Sequence, residues 1–309
     1  MTTSDSTTQA SAAPAEKHLY LGFFYAALAA ALWSLITPAS RLLFAMNCPP
    51  LETAFWRTCI GGICFAAFAA WRGELKIPLK DAAGLIVYGG VLGLVLFGSF
   101  QYAISYSGGA TAVVLLYTAP AWVAVLSRIL FSEAISCTKL AAIGIAMGGV
   151  VMVSMAGGSM GGDVSVVGIA CGLVSGFSYA CFFPFTYYYS RRYSPQTIYC
   201  YAFLSTTLLF LPFTPDITFD KPALLWGILL AMGFFTSFLA YITLALSLRH
   251  ISQVQSAVVG NVEPVLGCFW VWLFFQENFS PAGWIGCLFI MLAVFILTLE
   301  KKPAPGKRQ

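Results

Sequence analysis

A carboxylate stands in the middle of an apolar run late in the chain. Residues 253–277 read QVQSAVVGNVEPVLGCFWVWLFFQE and carry Glu263 next to Pro264. About 20 apolar residues are enough to cross a bilayer as a helix. A charge at mid-membrane costs roughly 3 kcal/mol or more, so such a residue usually faces a cavity or a partner. We expect Glu263 to be a proton site or a ligand for a substrate amine. The alternative is a structural carboxyl, for example one paired with Arg57.

The proline beside this carboxylate predicts a break in the helix. Pro264 has no N–H to donate and crowds the carbonyl of Gly260, so a kink is expected there. Asn261 and Glu263 would point to nearly opposite sides of an ideal helix, and both can line one cavity only if the turn unwinds. The alternative role for Asn261 is a hydrogen bond between helices. A polar residue beside a broken helix at membrane depth is typical of a transporter binding site.

The chain also contains an internal repeat. Residues 111–133 align without gaps with the later run at a shift of 144, and an upstream stretch aligns at a shift of 146. Two shifts so close in value indicate a duplicated chain. The matched pairs used below are Pro120 with Pro264, Glu133 with Glu277, Trp33 with Tyr179, and Pro38 with Pro184.

Aromatic and polar residues in the central spans are the candidates for a cavity wall. Trp33 and Tyr179 each lie five residues before a matched proline, near span centres where interfacial aromatic belts do not form. They could wall a substrate cavity, and the alternative is core packing. The other candidates are Gln101, Tyr102, Tyr117, Phe183, Tyr241, Ser256, Asn261 and Glu263, with helix kinks at Pro38, Pro120, Pro184 and Pro264.

Composition decides the class of protein. The 309 residues are 59% hydrophobic and 9% charged, whereas a soluble domain is about 25% charged. The net charge of +4 does not indicate nucleic-acid binding, because the basic residues lie between apolar runs, where the bilayer interface explains them. Nine cysteines without a CxxC pair and two histidines at span edges give no reason to expect a metal, a cofactor or a catalytic residue.

We therefore predict an all-α polytopic membrane protein with ten transmembrane helices in a 5+5 inverted repeat. The bias of Lys and Arg between alternate loops places both termini in the cytoplasm. Because five spans per half is an odd number, the second half enters the membrane upside down. The predicted spans are 19–44, 51–71, 82–105, 108–130, 140–156, 164–188, 195–212, 223–248, 252–275 and 282–299. The predicted domains are a disordered cytoplasmic tail (1–18), two five-helix repeats (19–156 and 164–299) and a second cytoplasmic tail (300–309).

The two repeat copies resemble a known family. GGATAVVLLYTAPAWVAVLSRILFSE and SQVQSAVVGNVEPVLGCFWVWLFFQE are similar to the paired segments of the drug/metabolite transporter (DMT) superfamily, in its ten-helix EamA-type branch. The resemblance covers residues 19–299. It implies a central cavity lined by helices one, three, four, six, eight and nine, with helices five and ten at the periphery. It also implies export of amino acids and related metabolites, while more distant relatives carry nucleotide sugars or phosphorylated sugars.

The function predicted from these observations is secondary transport in a bacterial-type inner (plasma) membrane. The expected partners are the lipid bilayer and a small-molecule substrate, most simply an amino acid or similar metabolite exported by alternating access. The alternative within transport is an exporter of cationic drug-like compounds with Glu263 as counter-ion. An intramembrane enzyme would need a mid-span His or paired Asp, and a pore would need a ring of like residues.

Three further expectations concern charged residues and glycines. Arg41 and Arg57 are expected to snorkel to the interface, with Glu52 near enough to pair with Arg57. No span centre then supplies the several cations that a multiply anionic substrate would need. The glycine pairs Gly89–Gly93, Gly144–Gly148 and Gly172–Gly176 should let helices approach closely, inside the bundle or in a homodimer.

Overall fold

The protein is a bundle of long apolar helices. A computed structural model describes residues 13–156, 165–214, 217–275 and 280–299, and no strand occurs among them. Glu277 and both predicted tails up to residue 12 and from residue 300 lie outside the described residues. The helices are α1 (Ala13–Ser34), α2 (Ile36–Ala45), α3 (Pro50–Trp71), α4 (Leu79–Gly84), α5 (Gly90–Leu116), α6 (Ala119–Phe131), α7 (Cys137–Ala156), α8 (Val166–Tyr189), α9 (Pro195–Phe210), α10 (Ala223–Met232), α11 (Ala240–Ser247), α12 (Gln253–Gly260), α13 (Val262–Phe275) and α14 (Pro281–Leu299).

Short segments of other helix types join some of these elements. π-Helical residues Leu85–Gly89 connect α4 to α5, and Gly233–Leu239 connect α10 to α11. In the described chain, eight helical runs are long and apolar enough to cross a membrane. Two shorter apolar helices, Cys137–Val153 and Pro281–Leu297, complete the set. The predicted all-α class with ten membrane helices in two halves is thereby confirmed.

The third and fourth spans form a hairpin inside what is one continuous run of helical residues. In a straight helix, Leu92 and Leu115 of α5 would lie about 34 Å apart. Yet the Leu92 carbonyl accepts a hydrogen bond from Ser178 Oγ of α8 at 2.8 Å. Leu115 packs on the same stretch of α8, where a Cβ added to Gly176 would lie 2.5 Å from its carbonyl oxygen. The chain therefore reverses direction within α5, without the non-helical linker expected near residues 106 and 107.

Three of the four predicted kink prolines follow an interruption of a helix. The breaks fall at Leu35, at Tyr117 and Thr118, and at Asn261. At each, the chain tightens to a hydrogen bond between residues three apart: Leu35 N to Leu32 O (3.3 Å), Thr118 N to Leu115 O (3.3 Å) and Asn261 N to Val258 O (3.0 Å). A proline two or three residues later cannot continue the α-helical ladder. The fourth site differs, because α8 stays α-helical through Pro184 while it packs along α5.

Small residues set the closest helix contacts, as expected for membrane helices. Two of the predicted glycine pairs lie at such contacts: Gly89 and Gly93 face α9, and Gly172 and Gly176 face α5. The third pair does not, since Gly144 and Gly148 have no described atom within 4 Å of an added Cβ. Instead, α7 meets α14 at Gly149, where a Cβ would lie 2.7 Å from the Gly286 carbonyl oxygen.

A buried ion pair ties one end of α3 to the second half of the chain. Glu52 Oε1 lies 2.9 Å from Lys221 Nζ, and each of the two side chains is only 7% exposed. The same oxygen accepts hydrogen bonds from Trp56 Nε1 at 3.1 Å and from the Thr218 backbone at 3.3 Å. The expected pairing of Glu52 with Arg57 is therefore wrong. Trp56 packs edge-on against Phe219 and Trp226, which closes an apolar cluster over this end of the bundle.

A second carboxylate ties the other end of α3 to the start of α9. Glu74, in the loop after α3, accepts hydrogen bonds from Ser194 Oγ and from Gln196 Nε2, the latter at 2.6 Å. The hydrogen bond from Ser194 is the main reason that the pKa of the Glu74 carboxyl lies below its ordinary value. Tyr193 of the same segment donates its hydroxyl to Asp81. Both ends of α3 are thus fastened to the second half of the chain by polar contacts.

Candidate functional site

A cavity of about 190 Å³ lies where the interrupted helices of both halves meet. Residues of α1, α2, α3 and α5 contribute from the first half, and residues of α8, α11 and α13 contribute from the second. The walls are mainly apolar and aromatic, with one cation and one carboxylate. The lining residues are Trp33, Ile36, Arg57, Leu96, Phe97, Phe100, Val113, Leu116, Tyr117, Tyr179, Tyr241, Glu263 and Pro264.

Three aromatic rings form one wall of the cavity. Trp33 packs edge-on against Tyr179 and Tyr241, with ring centroids 6.1 Å and 5.4 Å apart. This is the geometry that aromatic quadrupoles prefer. Within the described chain, the buried Nε1–H of Trp33 has no hydrogen-bond partner. The two matched aromatic residues of the repeat therefore meet at the centre of the molecule, and one of them holds an unused donor there.

Glu263 faces the cavity from the first turn of α13, directly after the break at Asn261. The Tyr117 hydroxyl is hydrogen-bonded to its carboxyl. Tyr117 occupies the corresponding break in the first half, between α5 and α6. The two proline-associated interruptions thus bring a phenol and a carboxylate into contact.

Arg57 supplies the opposite charge to the same cavity. Its side chain leaves α3, donates from Nε to Ser237 Oγ at 3.1 Å, and lies over the Phe97 ring at 5.1 Å from the centroid. It is close enough to Glu263, Tyr179 and Tyr241 to interact with them electrostatically. The expectation that Arg57 snorkels to the interface is therefore wrong, because the residue is only 8% exposed. The side chain of Arg41 lies outside the described residues.

Several predicted wall residues do not reach the cavity. Tyr102 is 54% exposed and stacks on Tyr106 instead. Ser256 is buried against Ser247, with their hydroxyls 3.2 Å apart. Asn261 is buried away from the cavity, and its Nδ2 has no partner among the described residues. Phe183 packs behind Tyr179 at 5.6 Å. The side chain of Gln101 lies outside the described residues.

The residues that sequence reasoning missed come mostly from α3 and α5. Arg57, Phe97 and Phe100 line the cavity, although only the charge of Arg57 gave any sign of this. Arg57 stands seven residues after the first residue of α3, about 10 Å from that end. That depth is a signal that could have placed it in the cavity. Among the described residues, no group of His, Cys, Asp or Glu could hold a metal ion.

Comparison with known proteins identifies the family. The model of the EamA-like transporter family matches residues 20–155 and again residues 166–299. The chain belongs to the EamA-like transporter family. It is therefore a multi-pass membrane transporter with a small-molecule substrate, and the earlier resemblance is confirmed.

Individual relatives agree with this assignment. The pseudopaline exporter CntI of Pseudomonas aeruginosa is 26% identical over 258 residues, which is 82% of this chain and 88% of that protein. The uncharacterized transporter YvbV of Bacillus subtilis is 28% identical over 150 residues, 48% of each chain. A solved crystal structure superposes with a TM-score of 0.76 over 92% of this chain and 96% of its own, at 20% identity. That last likeness shows the fold alone.

Proposed function

We propose that this EamA-like transporter exports amino acids or closely related small metabolites by alternating access. The observation that carries the proposal is the presence of Arg57 and Glu263 in one cavity with aromatic walls. A free amino acid carries a carboxylate and an ammonium group, and each finds its opposite charge there. Such convergent polar groups in an apolar pocket are typical of small-ligand sites. The exporter relative supports outward transport as the direction.

A cationic drug-like compound is the second candidate substrate. Glu263 and the ring faces of Tyr179 and Tyr241 would attract a cation. Arg57 argues against this candidate, because it places a fixed positive charge in the same small space. A zwitterion uses both charges, whereas a cation is repelled by one of them.

The experiment that tests the proposal is metabolite profiling of the growth medium. Bacterial cells overproducing the wild-type protein should release one or more amino acids or amino-acid derivatives above the level seen with an empty vector. Cells with an equal amount of Arg57→Ala in the membrane should not, because the variant lacks the cation of the cavity. Release of cationic compounds only would contradict the amino-acid proposal.

The orientation in the membrane is a further part of the proposal. The Lys and Arg bias between loops supports a bacterial-type inner-membrane location with both termini, and hence the segments 1–18 and 300–309, in the cytoplasm. Reporter tags at Thr2 and Gln309 should therefore both give a cytoplasmic signal. A periplasmic signal from either tag would contradict this orientation.

A further inference from the structure

We infer that Arg57 forms a carboxylate subsite and that Ser237, which does not line the cavity, is the positioning residue that aims it. The inference deepens the proposed function and rests on it, since it assigns one end of the substrate to one wall. The ligand chemistry is a single carboxylate bound by a guanidinium, with the rest of the substrate extending towards Tyr117 and Glu263.

Close packing of two helices brings Ser237 to Arg57. Ser237 lies in the π-helical segment Gly233–Leu239, which packs on α3. A Cβ added to Gly61 of α3 would lie 2.6 Å from Ser237 Cβ, and one added to Gly233 would lie 2.5 Å from Ile60 Cβ. Both glycines are thus needed for the approach that gives the 3.1 Å bond between Arg57 Nε and Ser237 Oγ. π-Helical segments inside longer helices are frequent at functional sites.

The hydrogen bond to Ser237 fixes the orientation of the guanidinium. A guanidinium has five N–H donors, and Ser237 accepts the one on Nε. Phe97 covers one face of the planar group, so rotation about the side chain is restricted. The two terminal amino groups are the part of the side chain left for a ligand in the cavity that Arg57 lines. A carboxylate is the group that binds such a fork through two parallel hydrogen bonds.

Charge distribution decides which end of a substrate this subsite takes. Arg57 and the carboxyl of Glu263 are the two charged groups of the described cavity lining, and Tyr117 is hydrogen-bonded to Glu263. The Glu263 carboxylate repels the carboxylate end of a ligand, whereas Arg57 attracts it. The carboxylate end therefore lies against α3, and an amino group lies against α13.

Ligand binding to purified full-length protein in detergent tests this assignment. Four probes distinguish binding of the carboxylate from binding of the ammonium group. L-phenylalanine carries both groups, and 3-phenylpropionate carries only the carboxylate. L-phenylalaninamide and phenethylamine carry only the amino group. Their affinities are measured by titration calorimetry for the wild type, Ser237→Ala, Arg57→Lys and a control. The control is Ser175→Ala, because Ser175 is also fully buried but donates only within its own helix, to Gly172 O at 2.7 Å. Size-exclusion chromatography checks that each variant remains folded and monodisperse.

The expected result is a loss of affinity confined to the two probes that carry a carboxylate. Ser237→Ala should weaken the binding of L-phenylalanine and 3-phenylpropionate about tenfold, which is the effect of losing one hydrogen bond to a charged group. Arg57→Lys should weaken the binding of the same two probes, because the lysine ammonium lacks the planar donor fork of the guanidinium. Both variants should leave the affinities for L-phenylalaninamide and phenethylamine unchanged. Ser175→Ala should change none of the four affinities. If Ser237 had a purely structural role, Ser237→Ala would weaken the binding of all four probes alike.

Each other outcome overturns a specific claim. If the wild type binds the amide as tightly as L-phenylalanine, or if Ser237→Ala weakens all four probes equally, the carboxylate subsite is wrong. If phenethylamine alone binds, the subsite is wrong and the cationic substrate class is favoured. If 3-phenylpropionate binds in a Ser237-dependent way but L-phenylalanine does not, the subsite stands and amino-acid export is contradicted. If none of the four binds, both claims fail.

Discussion

Replacing Glu263 by glutamine is expected to leave a folded transporter whose export rate no longer follows an imposed pH gradient. Glu263 lies in a largely apolar cavity at the junction between α12 and α13. A carboxyl at this depth can bind and release a proton during the transport cycle. If the proton binds the inward-facing and outward-facing states unequally, it biases their populations. Glutamine resembles the protonated form and cannot ionise, so the rate should fall and its pH response should disappear.

The measurement is export from proteoliposomes under gradients of opposite sign, for the wild type and Glu263→Gln. Glu74→Gln is the matched control, because Glu74 lies in a loop outside the cavity and glutamine can still accept hydrogen bonds from Ser194 and Gln196. A Glu263→Gln protein that follows the gradient like the wild type would reduce Glu263 to a structural carboxyl. A wild type indifferent to the gradient would indicate a facilitator, with Glu263 serving only as a substrate ligand.

The largest effect on stability is expected from breaking the buried pair between Glu52 and Lys221. Lys221→Met leaves the Glu52 carboxylate buried without its cation, and loss of one partner of a buried pair costs about 3 to 5 kcal/mol. The double variant Glu52→Gln with Lys221→Met removes both charges. Its glutamine can still accept the hydrogen bonds of Trp56 and Thr218. We therefore expect it to recover most of the lost stability.

Reversible unfolding in mixed micelles, followed by tryptophan fluorescence, measures these free energies. Lys76→Met is the control, because Lys76 is an exposed lysine in a loop, where a substitution should change the free energy of unfolding by less than about 0.5 kcal/mol. An unchanged free energy for Lys221→Met would show that the ion pair does not hold this end of α3. A double variant as unstable as Lys221→Met would show that lost packing, rather than the unpaired charge, is the cause.

Sequence reasoning reached the fold because its evidence was local or periodic. The length of the apolar runs fixed the number of membrane helices, and the matched prolines located the helix breaks at Leu35, Tyr117 and Asn261. The repeat also paired Trp33 with Tyr179, which meet in the cavity. These features depend on residue type and spacing along the chain, and both are visible without a structure.

Which face of each helix meets the cavity was harder to predict. In a membrane, the lipid-facing side of a helix is as apolar as its packed side, so hydrophobic periodicity gives little direction. Tyr102 was placed in the cavity on polarity alone and faces outward. Arg57 was assigned to the interface because snorkelling is the commoner case for an arginine near a helix end. Its actual partner, Ser237, is 180 residues away in the chain. A contact of that kind depends on how α3 packs against a π-helical segment, which no local pattern reveals.

The most direct test of the proposed transport path is counterflow of labelled L-phenylalanine into proteoliposomes loaded with the unlabelled amino acid. The wild type should accumulate the label transiently above the level of protein-free liposomes. Arg57→Ala should remain at that background level although it is incorporated in equal amount, because it lacks the cation that binds the carboxylate. Accumulation by Arg57→Ala at the wild-type rate would contradict the account, since the substrate would then cross without using this cavity.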